Sequence, residues 1–191
     1  MVLSCAVLSA QDLTILHLND THSHIDPERS GENKGLGGVI EQSAYVDSVR
    51  CVDGKGNVIL LHAGDFSQGS SYFTELNGDI EVDVLNAMKF DAVCLGNHEF
   101  DNGIDELARR LRNLKVPVLC ANYDFSQTVL KDLVKPYEIL VKAWRKIGVQ
   151  TLKICRGYLF VFCDSIFAVS DFSDTDITLF CRSVFYSMEM I

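Results

Sequence analysis

Phe90-Asp-Ala-Val-Cys-Leu95-Gly-Asn-His-Glu-Phe100-Asp-Asn-Gly103 opens as a short apolar run and closes on Gly followed by Asn, His and Asp. A run this short, bounded by a turn residue, reads as a buried strand, and the polar cluster sits where that strand would surface. Two earlier runs have the same form. Leu13 to Leu18 ends in Asn19-Asp20-Thr21-His22, and Val58 to Leu61 is followed by Gly64-Asp65. Three strand ends offering Asp, His and Asn make a candidate metal site, because the carboxyl edge of an open α/β sheet is where ligands bind.

The donor types agree with that reading. Asp20 and His22 are two residues apart, so in an extended segment both side chains leave one face and can grip one cation. Asp65 follows Gly64, which allows the backbone close to an ion, and its two carboxylate oxygens can bridge two metals. Asn97 adds a neutral amide oxygen. A mixed oxygen and imidazole shell suits zinc, manganese or a related divalent ion rather than an all-sulfur structural zinc. If Asn97 faces metal, its neighbour His98 can face substrate, with Asp101 three residues on to orient the ring as an acid–orienter dyad.

The intervening chain alternates strand and helix. Strand 13–18 precedes a helix from Val39 to Arg50, strand 57–63 a helix near Ile80–Met88, and strand 91–95 a helix near Ile104–Asn113. Val116–Ala121 reads as a further strand, and Tyr137–Lys142 with Arg145–Val149 as a β-hairpin. This is an α/β fold.

The three clusters, in this order and at this spacing, resemble the 5'-nucleotidase family of two-metal, calcineurin-like phosphoesterases. The carrying segments are Leu16-His-Leu-Asn-Asp-Thr-His22, Gly64-Asp65 and residues 90–103, and the resemblance covers residues 13–149. It implies an incomplete four-layer α-β-β-α metallophosphatase sandwich. Carried over residue by residue, it implies that Asp20 and His22 bind a first metal, Asp65 bridges, Asn97 binds a second, and His98 with Asp101 forms the catalytic dyad. The implied reaction is hydrolysis of a phosphate monoester, a nucleoside 5'-phosphate above all.

One departure stands against the match. Family members complete the two-metal site with downstream histidines, whereas the five histidines here are residues 17, 22, 24, 62 and 98. The second metal then keeps only Asp65 and Asn97, and metal affinity should fall steeply. The competing expectation is therefore a catalytically impaired fragment that binds at most one divalent ion. A nucleoside-holding C-terminal domain, which two-domain members carry, would have to come from a separate chain.

Composition changes after the hairpin. Residues 154–191 contain one Gly, no Pro and no His, yet six of the eleven Phe and three of the seven Cys. The expected division is a signal remnant at 1–10, the N-terminal part of a metallophosphatase domain at 11–153, and a non-family tail at 154–191, with a frame change in the coding sequence as its leading explanation. Asp164 and Asp171 interrupt the apolar tail well short of the ~20 residues a membrane span needs. Asp171, Asp174 and Asp176 lack the Gly and distal Glu of a calcium loop and read as solvated acids.

A net charge of −9 and a pI near 4.9 exclude a nucleic-acid polymer as partner, since no basic stripe neutralises phosphates. Small residues ending an apolar start, Val2 to Ala10, favour export. Among the remaining polar residues, His17 and His62 read as core or strand-edge histidines, His24 as a loop residue and Glu99 as structural. Gly35-Leu-Gly-Gly38 lacks the Lys-Ser/Thr ending of a P-loop and reads as a turn before a helix.

Overall fold

The computed structural model describes residues 13–151 and, as backbone, the strands 167–171 and 177–180. The expectations for residues 1–10, for Asp174 and Asp176, and for the rest of the tail lie outside the described residues. Strands β1 (Thr14–Leu18), β2 (Val58–His62), β3 (Ala92–Cys94), β4 (Val118–Leu119) and β5 (Val134–Lys135) form a parallel sheet in sequential order. Helices α1 (Val39–Asp53), α2 (Ser71–Leu76), α3 (Asp79–Met88) and α4 (Ile104–Leu111) lie between them in the chain. A second, antiparallel sheet contains β6 (Tyr137–Lys142), β7 (Arg145–Thr151), β8 (Phe167–Asp171) and β9 (Ile177–Phe180).

Sequential strand order decides where everything else goes. Each crossover moves in the same direction, and crossovers of one hand then leave all the helices on one face of the sheet. The opposite face is left for the second sheet. Side-chain alternation records both contacts: Leu60, Val93, Leu95 and Val118 pack with Leu85, Met88, Leu107 and Leu111 of the helices. Ile59, Leu61, Ala92, Cys94 and Leu119 pack instead with Ile147 and Val149 of β7. With both faces covered, every residue of β2 is buried, which is why it reads as a continuous apolar run rather than an alternating one. The described residues thus build a helix layer and two sheet layers, the α/β arrangement expected.

Several elements differ from expectation. Helix α2 has six residues, too few for a helical period to show in sequence. The strand expected at 116–121 narrows to Val118–Leu119, just after Pro117, which cannot donate to a ladder. Within 154–191, where the sequence showed no clean strand period, β8 pairs with β7 and β9 with β8. The expected hairpin is present, turning at Ala143 and Trp144, both at positive φ. Helix α4 carries Asp105 and Glu106 in its first turn and Arg109 and Arg110 in its last, matching the helix dipole at both ends.

Candidate metal centre

The loops leaving β1, β2 and β3 at their carboxyl ends lie side by side. Main-chain bonds continue the pairing past the strands: the N–H groups of Asp20, His22 and Ser23 donate to the carbonyls of Gly64, Asp65 and Phe66 at 3.0, 3.1 and 3.0 Å. Two glycines permit the closest approach. A Cβ on Gly64 would lie 2.7 Å from the Gly96 nitrogen, and one on Gly96 would lie 2.2 Å from Asp65 Oδ1. The Asp65 carboxylate fills the place a side chain at 96 would need, so the Gly at each strand end is a packing requirement.

Asp20 and His22 were expected to leave one face of an extended segment. They sit instead in left-handed backbone, at φ 50° and 43°, with Ser23 at φ 55° and Asp65 at φ 50°. A turn replaces the strand because the chain must follow the Gly64–Phe66 loop rather than run on. The pair still meets, His22 Nε2 lying 3.9 Å from Asp20 Oδ1. Four non-glycine residues in this conformation at one sheet edge mark it as a constrained place.

His22, Asp65 and His98 bring one potential ligand atom each to within 4.8 Å of one another, so a divalent ion held by the His22 imidazole and the Asp65 carboxylate would lie beside the His98 ring. The His22 and His98 rings meet edge-on with centroids 5.0 Å apart. His98 was expected to face substrate beside the metals; the fold brings its ring into the same group. His98 Nδ1 is engaged by Asp101 Oδ2 at 2.8 Å, leaving Nε2 as its other nitrogen. That bond is the main cause raising the His98 pKa above the ordinary histidine value, against a smaller opposing effect of burial. Asn97 is exposed and opens the same short turn, its carbonyl accepting from Phe100 N–H. Burial raises the Asp65 pKa, while the His98 N–H donated to Asp65 Oδ1 at 3.0 Å acts the other way.

Glu99, read as structural in sequence, sits directly under these candidate residues together with Arg110, which no sequence signal singled out. Fully buried Glu99 accepts N–H bonds from Gly96 (2.6 Å), Asp65 (3.0 Å) and Ser67 (3.1 Å), and burial pushes its pKa up to about 7. Buried Arg110 of α4 donates to the Glu99 carbonyl at 2.6 Å and to Ser67 Oγ at 2.8 Å. His62 accepts the Gly64 N–H at Nδ1 (3.2 Å), so Nε2 carries the proton and donates to Thr21 Oγ1 at 3.0 Å. No spacing signal marks these roles, since each partner lies more than ten residues away or on the main chain.

The family profile of the calcineurin-like phosphoesterases matches residues 13–172. The chain belongs to that family. The match runs beyond Val149, where the resemblance visible in the sequence stops. The chain is 36% identical over 148 residues to the NAD 5'-nucleotidase of Haemophilus influenzae, covering 73% of this chain and 24% of that protein. To human 5'-nucleotidase it is 35% identical over 150 residues, covering 73% and 26%. Among solved structures, a 5'-nucleotidase precursor from Thermus thermophilus superposes with a TM-score of 0.67 at 36% identity, covering 74% of this chain and 28% of that one. The chain therefore spans about a quarter of the length of the curated relatives it matches. Among the described residues, no helix is long and apolar enough to cross a membrane.

Proposed function

We propose that this chain forms the metal-binding face of a 5'-nucleotidase-like hydrolase of phosphate monoesters, with nucleoside 5'-phosphates as the substrate class. The observation that carries the reading is the convergence of His22, Asp65 and His98 at three adjacent strand ends, beside the His98–Asp101 bond. Asp20 and His22 would hold one divalent ion, Asp65 would bridge and Asn97 would reach a second. Bound there, such ions acidify water and offset phosphate charge.

The chain's own residues supply the rest. Asp101 holds the His98 ring at Nδ1 and keeps it protonated to a higher pH, so Nε2 can donate to the leaving oxygen. The Asp65–His98 main-chain bond keeps the bridging carboxylate facing the dyad. A nucleoside-holding domain is part of the proposal, supported by the matched stretch making up only about a quarter of each relative's length. Export is also proposed, supported by the small and apolar residues of 1–10 and by the precursor description of one structural neighbour.

The test is phosphate release from adenosine 5'-monophosphate and from p-nitrophenyl phosphate by the full chain, with manganese or zinc titrated in. Release that rises with bound metal and stops on chelation supports the reading. Full metal loading without release, or release indifferent to chelator, overturns it.

A further inference from the structure

Glu99 has no exposed surface, and its carboxylate spends both oxygens on main-chain N–H groups of two different loops. Oε2 accepts from Asp65 in the loop after β2 and from Gly96 in the loop after β3, while Oε1 accepts from Ser67. These donors lie past the strand ends, where no ladder partner serves them, and a buried N–H left alone is costly. Arg110 closes the arrangement from α4 by holding the Glu99 carbonyl and the Ser67 hydroxyl together.

We propose that Glu99, braced by Arg110, is a positioning residue for the metal centre. Its carboxylate ties loop 64–67 to loop 96–98 and thereby sets the separation of Asp65 from His98. The inference rests on the metal-centre reading above. Glutamine cannot substitute. It offers one oxygen where three donors require two, and its NH₂ would face an N–H instead of accepting from it.

The probe is manganese binding to the full 191-residue chain, followed by the loss of the free-ion electron paramagnetic resonance signal, with far-ultraviolet circular dichroism as the folding check. Glu99→Gln should weaken manganese binding by about 10–100-fold, as loss of a residue that orients metal ligands does. The comparator is Leu107→Ala, a core truncation on α4 that removes none of the hydrogen bonds made by Glu99 or Ser67. It should lower the melting temperature yet leave manganese affinity within about twofold, as expected of independent sites. Equal affinity for Glu99→Gln and the unaltered chain overturns the proposal, as does an equal loss in Leu107→Ala. If Glu99→Gln does not fold, Ser67→Ala serves, since it removes only the hydroxyl that Arg110 holds. Weaker binding with an unchanged dichroism spectrum supports the proposal, and unchanged binding overturns it. No manganese bound by the unaltered chain would instead sink the metal-centre reading, and this inference with it.

Discussion

Acid should loosen the chain through His62, and the size of the effect follows from its surroundings. The ring is 1% exposed, enclosed by Phe66 and Phe90 at centroid distances of 5.6 and 5.7 Å, with both nitrogens engaged in the neutral form. Burial, helped by the nearby charge of His17, lowers its pKa from 6.5 to about 3. The folded value lies below the unfolded one, so between them the unfolded chain binds the extra proton and stability rises with pH. The contribution is complete above the unfolded value and is lost as pH falls through that window, at about 1.4 kcal/mol per pH unit, or about 2 kcal/mol by about pH 5. His62→Asn removes the titration while its Oδ1 can still accept the Gly64 N–H. Its fixed packing penalty drops out when the two proteins are compared across pH. Urea unfolding should be followed by far-ultraviolet circular dichroism, because Trp144, the sole tryptophan, is 95% exposed and reports little of the core. The stability difference between wild type and variant should shrink by about 2 kcal/mol between neutral pH and about pH 5. A difference that stays constant over that range would refute the assignment of a neutral, buried His62.

Asp65→Ala should abolish manganese binding more completely than Asn97→Ala, because a carboxylate brings charge and two donor oxygens where the amide brings one neutral oxygen; isothermal titration calorimetry ranks the two, and equal losses would end the bridging role of Asp65. His98→Ala should lower kcat by about 10²–10⁴-fold with metal content nearly intact, and loss of a metal equivalent by elemental analysis would make His98 a ligand. Asp101→Asn removes the main cause of the raised His98 pKa, so in the metal-free chain the His98 titration followed by nuclear magnetic resonance should move down toward the ordinary histidine value. Its effect on turnover should be milder than that of His98→Ala and strongly non-additive with it.

The strands that carry the site were legible because burial on both faces leaves a mark in one dimension. Val58–Leu61 and Ala92–Leu95 are apolar at every position because they lie between helices and a second sheet, so their ends, and the Asp and His that follow, stand out. Helices α1, α3 and α4 are long enough to show a period, whereas α2 and the two-residue strands are not. Adjacent pairings were legible too, since His98 and Asp101 lie one helical turn apart. What the chain folds into decided the rest. The left-handed turn at Asp20 and His22 comes from following the neighbouring loop, and the edge-on meeting of His22 with His98 from the order of the strands. Glu99 gathers N–H groups from Asp65 and Ser67, more than thirty residues away, and His62 reaches Thr21 across forty-one. Such contacts leave no period or spacing in a sequence, because a hydrogen bond depends on where two loops arrive in space and a main-chain donor is the same atom whatever residue carries it.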